Sequence, residues 1–187
     1  MNKTFASVLC ATLFAMPLAG FAATNWNTDS TASTLNFSGT VEGEGFTGQF
    51  KDFTAKITFD PADLANSTFD VNIALASADS ANAERDETLQ GSDFFDTAKT
   101  PQASYIATTF RDLGDGKFAA DGTLMLRGIA KPVTLEFSWA SDGANATLDG
   151  KAIVNRLDFN VGGGDWADAS TIGHEIDVST TLKLSAQ

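Results

Sequence analysis

Apolar and polar residues alternate along most of the chain. In STFDVNIALAS (67–77), Phe69, Val71, Ile73 and Leu75 fall on one face and Asp70 and Asn72 on the other. In PVTLEFSWA (132–140) the apolar face carries Val133, Leu135, Phe137 and Trp139. In IGHEIDVSTTLKLSAQ (172–187) it carries Ile172, His174, Ile176, Val178, Thr180, Leu182 and Leu184. Side chains of a strand point alternately to its two faces, so each segment reads as a strand with one buried and one wet side, as in antiparallel sheet. Further strands are expected in TLNFSGTVE, GQFKDFTAKITFD, ASYIATTF, KFAADGTLMLRG and ATLDGKAIVNRLDF. In the second of these, Phe46 and Phe50 have even parity while Phe53, Ala55, Ile57 and Phe59 have odd parity. The register must slip between 50 and 53, and a bulge there keeps both sets inward. Asp115-Gly116 and Asp142-Gly143 read as hairpin turns. Eight strands on this spacing predict an all-β fold, an antiparallel barrel or a sandwich.

The alternation stops in RDETLQGSDFFDTAKTP (85–101). Asn82 suits a helix N-cap, 83–90 are good helix formers, Gly91 suits the stop, and Thr100-Pro101 forces extension into the next strand. A helical crossover near 82–97 is expected over one end of the sheet, with Leu89, Phe94 and Phe95 as its apolar underside.

The first residues differ from the rest. Lys3, an apolar run from Phe5 to Leu18, and Gly20-Phe21-Ala22 form the pattern of a cleaved secretory signal peptide over 1–22, leaving one domain over 23–187. The single cysteine, Cys10, lies in that leader, so the mature domain has neither disulfide nor thiolate chemistry. A net charge of -12 opposes nucleic acid and anionic membrane surfaces, and no stable membrane insertion is expected.

Chemistry has few candidates. His174 is the only histidine, without a second to share a zinc ion, and neither Gly-x-Ser-x-Gly nor His-Glu-x-x-His occurs. The glycines of VGGGDWAD (161–168) are followed by no lysine, which excludes a phosphate loop and leaves a barrel-corner loop with Trp166 as a lid. No catalytic residue, metal site or resident cofactor is expected, and the protein is read as a binder rather than an enzyme. Fifteen phenylalanines against one tyrosine suit either an aromatic core or walls around a hydrocarbon guest.

Three blocks, ERDETLQGSDFFDTAKTPQASYIATTF (84–110), DGTLMLRGIAKPVTLEF (121–137) and VNRLDFNVGGGDWADASTIGHEIDV (154–178), resemble the YceI family of bacterial periplasmic proteins. The chain departs from that pattern at Thr88, often histidine, and at Asn160, often glycine. The resemblance implies an eight-stranded antiparallel, lipocalin-like barrel that binds a polyisoprenoid, isoprenoid quinone or fatty-acid derivative, and it is compatible with a homodimer. Inward parity nominates Phe37, Phe69, Ile73, Leu135, Phe137, Trp139, Ile176 and Val178 as ligand contacts, with Phe94 and Phe95 at the end and Arg85, Arg156 and His174 at a polar mouth. Two other readings stay open. One is a filled-core envelope stress or protein-interaction module without lipid; the other is an accessory that presents a bound quinone to a membrane oxidoreductase.

Overall fold

The computed structural model describes residues 23–187, and the expected signal peptide over 1–22 lies outside them. The strands are β1 (Asn25–Thr28), β2 (Thr34–Val41), β3 (Glu44–Phe50), β4 (Phe53–Thr58), β5 (Thr68–Ala74), β6 (Ala78–Asp79), β7 (Gln102–Gly114), β8 (Lys117–Leu126), β9 (Ile129–Ser141), β10 (Asn145–Asn155) and β11 (Glu175–Ala186). All pair antiparallel in one sheet. The sheet closes because β1 pairs β4 on one side and β11 on the other. Three of the eight barrel walls are bent into halves: β1 with β2, β3 with β4, and β5 with β6.

The parity slip at 50–53 takes the form of such a bend rather than a bulge within one ladder. Lys51 and Asp52 leave the sheet, β3 pairs β2 and β6, and β4 pairs β1 and β5. Phe50 and Phe53 both stay buried. The β1/β2 corner is held by the Asp29 carboxylate, which accepts from the Thr31 and Ala32 amides and the Thr31 hydroxyl.

Three hairpins turn on two residues of positive φ: Glu42-Gly43, Asp115-Gly116 and Arg127-Gly128. That geometry matches the strand twist, and only the second carries the expected Asp-Gly signal. Between β9 and β10 the wall is only partly paired. Their pairing stops at Glu136↔Lys151, although β9 continues with β8 to Ile129 and β10 continues with β11 to Asn155. Pro132 lies on this free edge of β9, where a missing N–H breaks no ladder.

The helix α1 (Ala83–Gln90) runs from the Asn82 cap to the stop at Gly91 as expected, and 92–95 continue the crossover as turns. Asn82 caps it by accepting from the Arg85 amide. No α1 residue is buried, so it spans the barrel opening as a mostly polar strap.

On the outer face, Arg111 of β7 grips Asp121 of β8 through two hydrogen bonds of 2.7 and 3.0 Å, and Thr134 of β9 donates a third at 2.7 Å. The Arg111 bond, then that of Thr134, holds the Asp121 carboxyl at about 2. Because this lies below the unfolded value of about 3.9, the stabilisation is complete above pH ~4 and is lost as pH falls through about 2. Asp121→Asn is expected to flatten that acid limb in thermal unfolding recorded between those pH values.

Candidate functional site

The barrel interior is divided by height. At the end where β4 and β9 finish and β5 and β8 begin, aromatic rings fill it. Phe59 is fully buried, with the rings of Phe69, Phe110, Phe118, Phe137 and Trp139 at centroid distances of 4.8–6.0 Å. Trp26 packs edge-on against Trp139 at 5.2 Å and donates its indole N–H to the Phe59 carbonyl at 2.9 Å. This is a solid floor without an unpartnered polar group.

Above the floor the barrel is hollow. A cavity of about 460 Å3 reaches the surface beneath α1, within the range of small-molecule sites. Its walls are overwhelmingly aliphatic and aromatic, from Leu148 and Leu182 at depth to Val41, Phe46 and Leu126 at the mouth. Alternation places these groups inward, and the larger floor residues two steps further along the same strands end the void.

The nominated contacts separate accordingly. Phe37, Phe69, Ile73, Phe94, Phe95, Leu135, Ile176 and Val178 all line the cavity. Phe137 and Trp139 do not: they share the inward face of β9 with Leu135 but stand in the floor, packed against Phe59. Phe46, Val71, Tyr105, Leu124 and Val133 line the cavity without having been nominated. Parity along their strands was the available signal.

Of the three polar-mouth candidates, Arg85 lines the opening, its guanidinium 4.8 Å from the ring centroid of Phe46. Its neighbour Asp86 does not pair with it but accepts from the amide and hydroxyl of Ser80. His174 is absent from the cavity wall. It precedes β11 and sets Nε2 2.8 Å from the Ala167 carbonyl, bracing the loop that follows β10.

Arg156 is the least expected residue. β10 ends at Asn155 and Arg156 opens a 3-10 turn (Arg156–Phe159), keeping the inward parity of Leu148, Ala152 and Val154, and is only 3% exposed. Its guanidinium donates to five carbonyls, those of Val161, Gly162, Trp166, Ile172 and Gly173. Among the described residues no carboxylate pairs with it. Burial lowers its pKa from the ordinary arginine value, as desolvation of a cation must. The result is a knot that gathers loop 156–174 over one side of the mouth. Arg127 ties this loop to the turn after α1 by donating to the carbonyls of Phe94 and Asn160, and Phe94 meets Trp166 at 5.7 Å. Asn160 sits at φ 55°, in the left-handed region where glycine or asparagine is favoured.

One wall position sets the cavity width. Gly48 lies opposite Phe37, and a Cβ on it would fall 2.3 Å from the Phe37 ring. The bare glycine lets that ring lie flat on the wall. Gly48→Ala is expected to push the ring into the void, costing about 1–3 kcal/mol in urea unfolding and narrowing the cavity.

Deep in the cavity the polar groups are already occupied. The Tyr105 hydroxyl donates to the carbonyl of Ala120 at 2.8 Å, with that of Val133 at 3.2 Å, and burial pushes its pKa up to about 12. Thr180 donates to the Thr34 carbonyl. Such walls can remove an apolar chain from water but offer it no reactive group.

Comparison with known proteins agrees with this architecture. The YceI-like domain family matches residues 26–184. Protein YceI of Escherichia coli O157:H7 is 35% identical over 144 residues, 73% of this chain and 72% of that one. The crystal structure of Burkholderia cenocepacia BcnA superposes with a TM-score of 0.81 at 30% identity, covering 84% of this chain and 99% of that chain. A polyisoprenoid binding domain from Saccharophagus degradans, implicated in plant cell wall breakdown, shares the fold with a TM-score of 0.65 at 18% identity, covering 87% and 98% of the two chains. With matching sequence from the first strand to the last, and a closed eight-walled barrel to house it, this chain belongs to the YceI family.

Proposed function

We propose that this protein is a periplasmic binding or carrier protein for a long-chain apolar lipid, a polyisoprenoid, isoprenoid quinone or fatty-acid derivative held lengthwise in the barrel. The observation that carries the proposal is the one-ended cavity of about 460 Å3, apolar along its walls and sealed by the aromatic floor. Apolar surface leaving water contributes about 25 cal/mol per Å2, so a hydrocarbon chain binds there without any directed polar contact. The polyisoprenoid binding described for the Saccharophagus degradans domain supports the ligand class. The leader pattern of 1–22 supports export, which recovery of the mature chain by osmotic shock checks. No helix of the described residues is long and apolar enough to cross a membrane.

Native mass spectrometry of gently purified protein is expected to show a near-stoichiometric hydrocarbon-chain lipid. Lipid-free preparations that also ignore added polyprenols and quinones overturn the proposal. Mutation separates it from a filled-core module. Ile73 and Leu135 face the void, so Ile73→Trp or Leu135→Trp places its extra volume there. Each is expected to change stability by less than about 1 kcal/mol while abolishing lipid uptake, whereas in a filled core overpacking costs ~1–3 kcal/mol. Urea unfolding and lipid titration on the same samples decide.

A further inference from the structure

The lipid-binding reading leaves the head of the ligand unassigned, and the distribution of donors and charges at the cavity restricts it. Inside, Tyr105, Thr180 and Arg156 have committed their donors to backbone carbonyls. Thr88 on α1 has done the same with the Glu84 carbonyl. A polar head carried to the bottom would lose its water and gain nothing, so the tail goes in first and the head stops at the mouth.

The mouth is strongly acidic. The four segments that frame it, 41–47, 82–101, 126–131 and 155–175, carry eleven Asp and Glu against five Arg and Lys. Three of those five cations are engaged: Lys99 with Asp96, Arg127 with two carbonyls and Arg156 with five. Lys131 is exposed on the free edge of β9, outside the cavity lining. That leaves Arg85, on the cavity side of α1 over Phe46, with no hydrogen-bond acceptor on its guanidinium among the described residues. Beside it in the lining is Glu84, and Glu87, Glu42 and Glu44 stand exposed on the two elements that flank the opening.

A phosphate or carboxylate head would meet one free cation among several carboxylates. An uncharged oxygen acceptor can take a charge-assisted hydrogen bond from Arg85 and adds no negative charge to the cluster. Resting on the lipid-binding reading, we infer that the mouth selects lipids with an uncharged, hydrogen-bond-accepting head placed beside Arg85, and rejects the same tail bearing a phosphate.

The test compares geranylgeraniol with geranylgeranyl phosphate, titrated into the mature protein and followed by intrinsic tryptophan fluorescence, to which Trp166 at the mouth contributes. The phosphate is expected to bind about tenfold more weakly at low ionic strength. The gap should shrink as salt is raised, because screening weakens repulsion between exposed charges. The triple variant Glu42→Gln, Glu44→Gln, Glu87→Gln, none of whose positions lines the cavity, should narrow the gap several-fold by strengthening phosphate binding alone. Phosphate binding that equals or exceeds alcohol binding, or a gap that neither salt nor the triple variant moves, overturns the inference and leaves the carrier reading standing. Failure of both lipids to bind removes the carrier reading, and the inference with it.

Discussion

Arg156→Met is expected to destabilise the protein by about 3–5 kcal/mol, the largest effect of any single charge removal in this chain. The guanidinium serves five carbonyls in a loop with no other regular structure across 160–174 apart from one short 3-10 turn. Methionine fills much of the volume but donates nothing, and a buried carbonyl without a partner costs roughly 1–3 kcal/mol. Removing the desolvation penalty of an unpaired cation offsets part of that loss, which is why the expected total is less than five such terms. For a domain of this size the change corresponds to a fall in Tm of roughly 10 °C. Arg156→Lys keeps the charge but supplies only three donors, without the planar fork, and should recover less than half. Calorimetry on the three proteins measures this directly. A methionine variant as stable as the parent would mean that the loop holds itself, and that the arginine is only covered by it.

Phe59→Ala is expected to cost about 3–5 kcal/mol, for a reason opposite to that at the cavity wall. Phe59 is surrounded on every side by rings, so truncation leaves a hole that the rigid closed sheet cannot collapse to fill. Leu135→Ala, two inward steps from Trp139 on the same strand, removes a side chain that already borders empty space and forfeits fewer contacts. Its cost should be nearer 1–2 kcal/mol. Urea unfolding that ranks these two truncations in the reverse order would contradict the division into floor and hollow. If the floor limits how far a tail descends, Phe59→Ala should also accept a longer chain than the parent, readable by mass spectrometry of bound lipids.

Alternation identified the inward face of most of the wall, and the agreement at β5, β9 and β11 has a simple cause. A strand in a closed barrel has one side that water cannot reach, and its residue types must follow. Parity, however, reports only inside or outside. Leu135, Phe137 and Trp139 have the same parity and neighbouring positions, yet the first faces the void and the others build the floor. Their height along the barrel axis is set by strand pairing and by rings contributed from β5, β7, β8 and Phe59, just after β4. None of these is local to β9.

The polar residues show the same limit more sharply. Extending alternation past Asn155 puts Arg156 on the inner face with Leu148, Ala152 and Val154, but says nothing of what meets its charge there. The strand stops one residue earlier, and the carbonyls that receive its guanidinium come from positions 161–173. His174, on the apolar side by parity, lies just ahead of its strand and braces a loop. In both cases parity gives a face, while the groups that meet the side chain come from a loop that parity does not describe.

The order of side chains along this chain was thus sufficient, by itself, for an antiparallel β fold, for the inward set of residues and for the crossover that starts at Asn82, because each follows from local stereochemistry and the segregation of apolar groups from water. Ring closure, the aromatic floor, the empty space above it and the arginine knot at its rim were decided only in three dimensions. Each depends on groups far apart in sequence meeting at one height of the barrel, and no local pattern encodes that meeting.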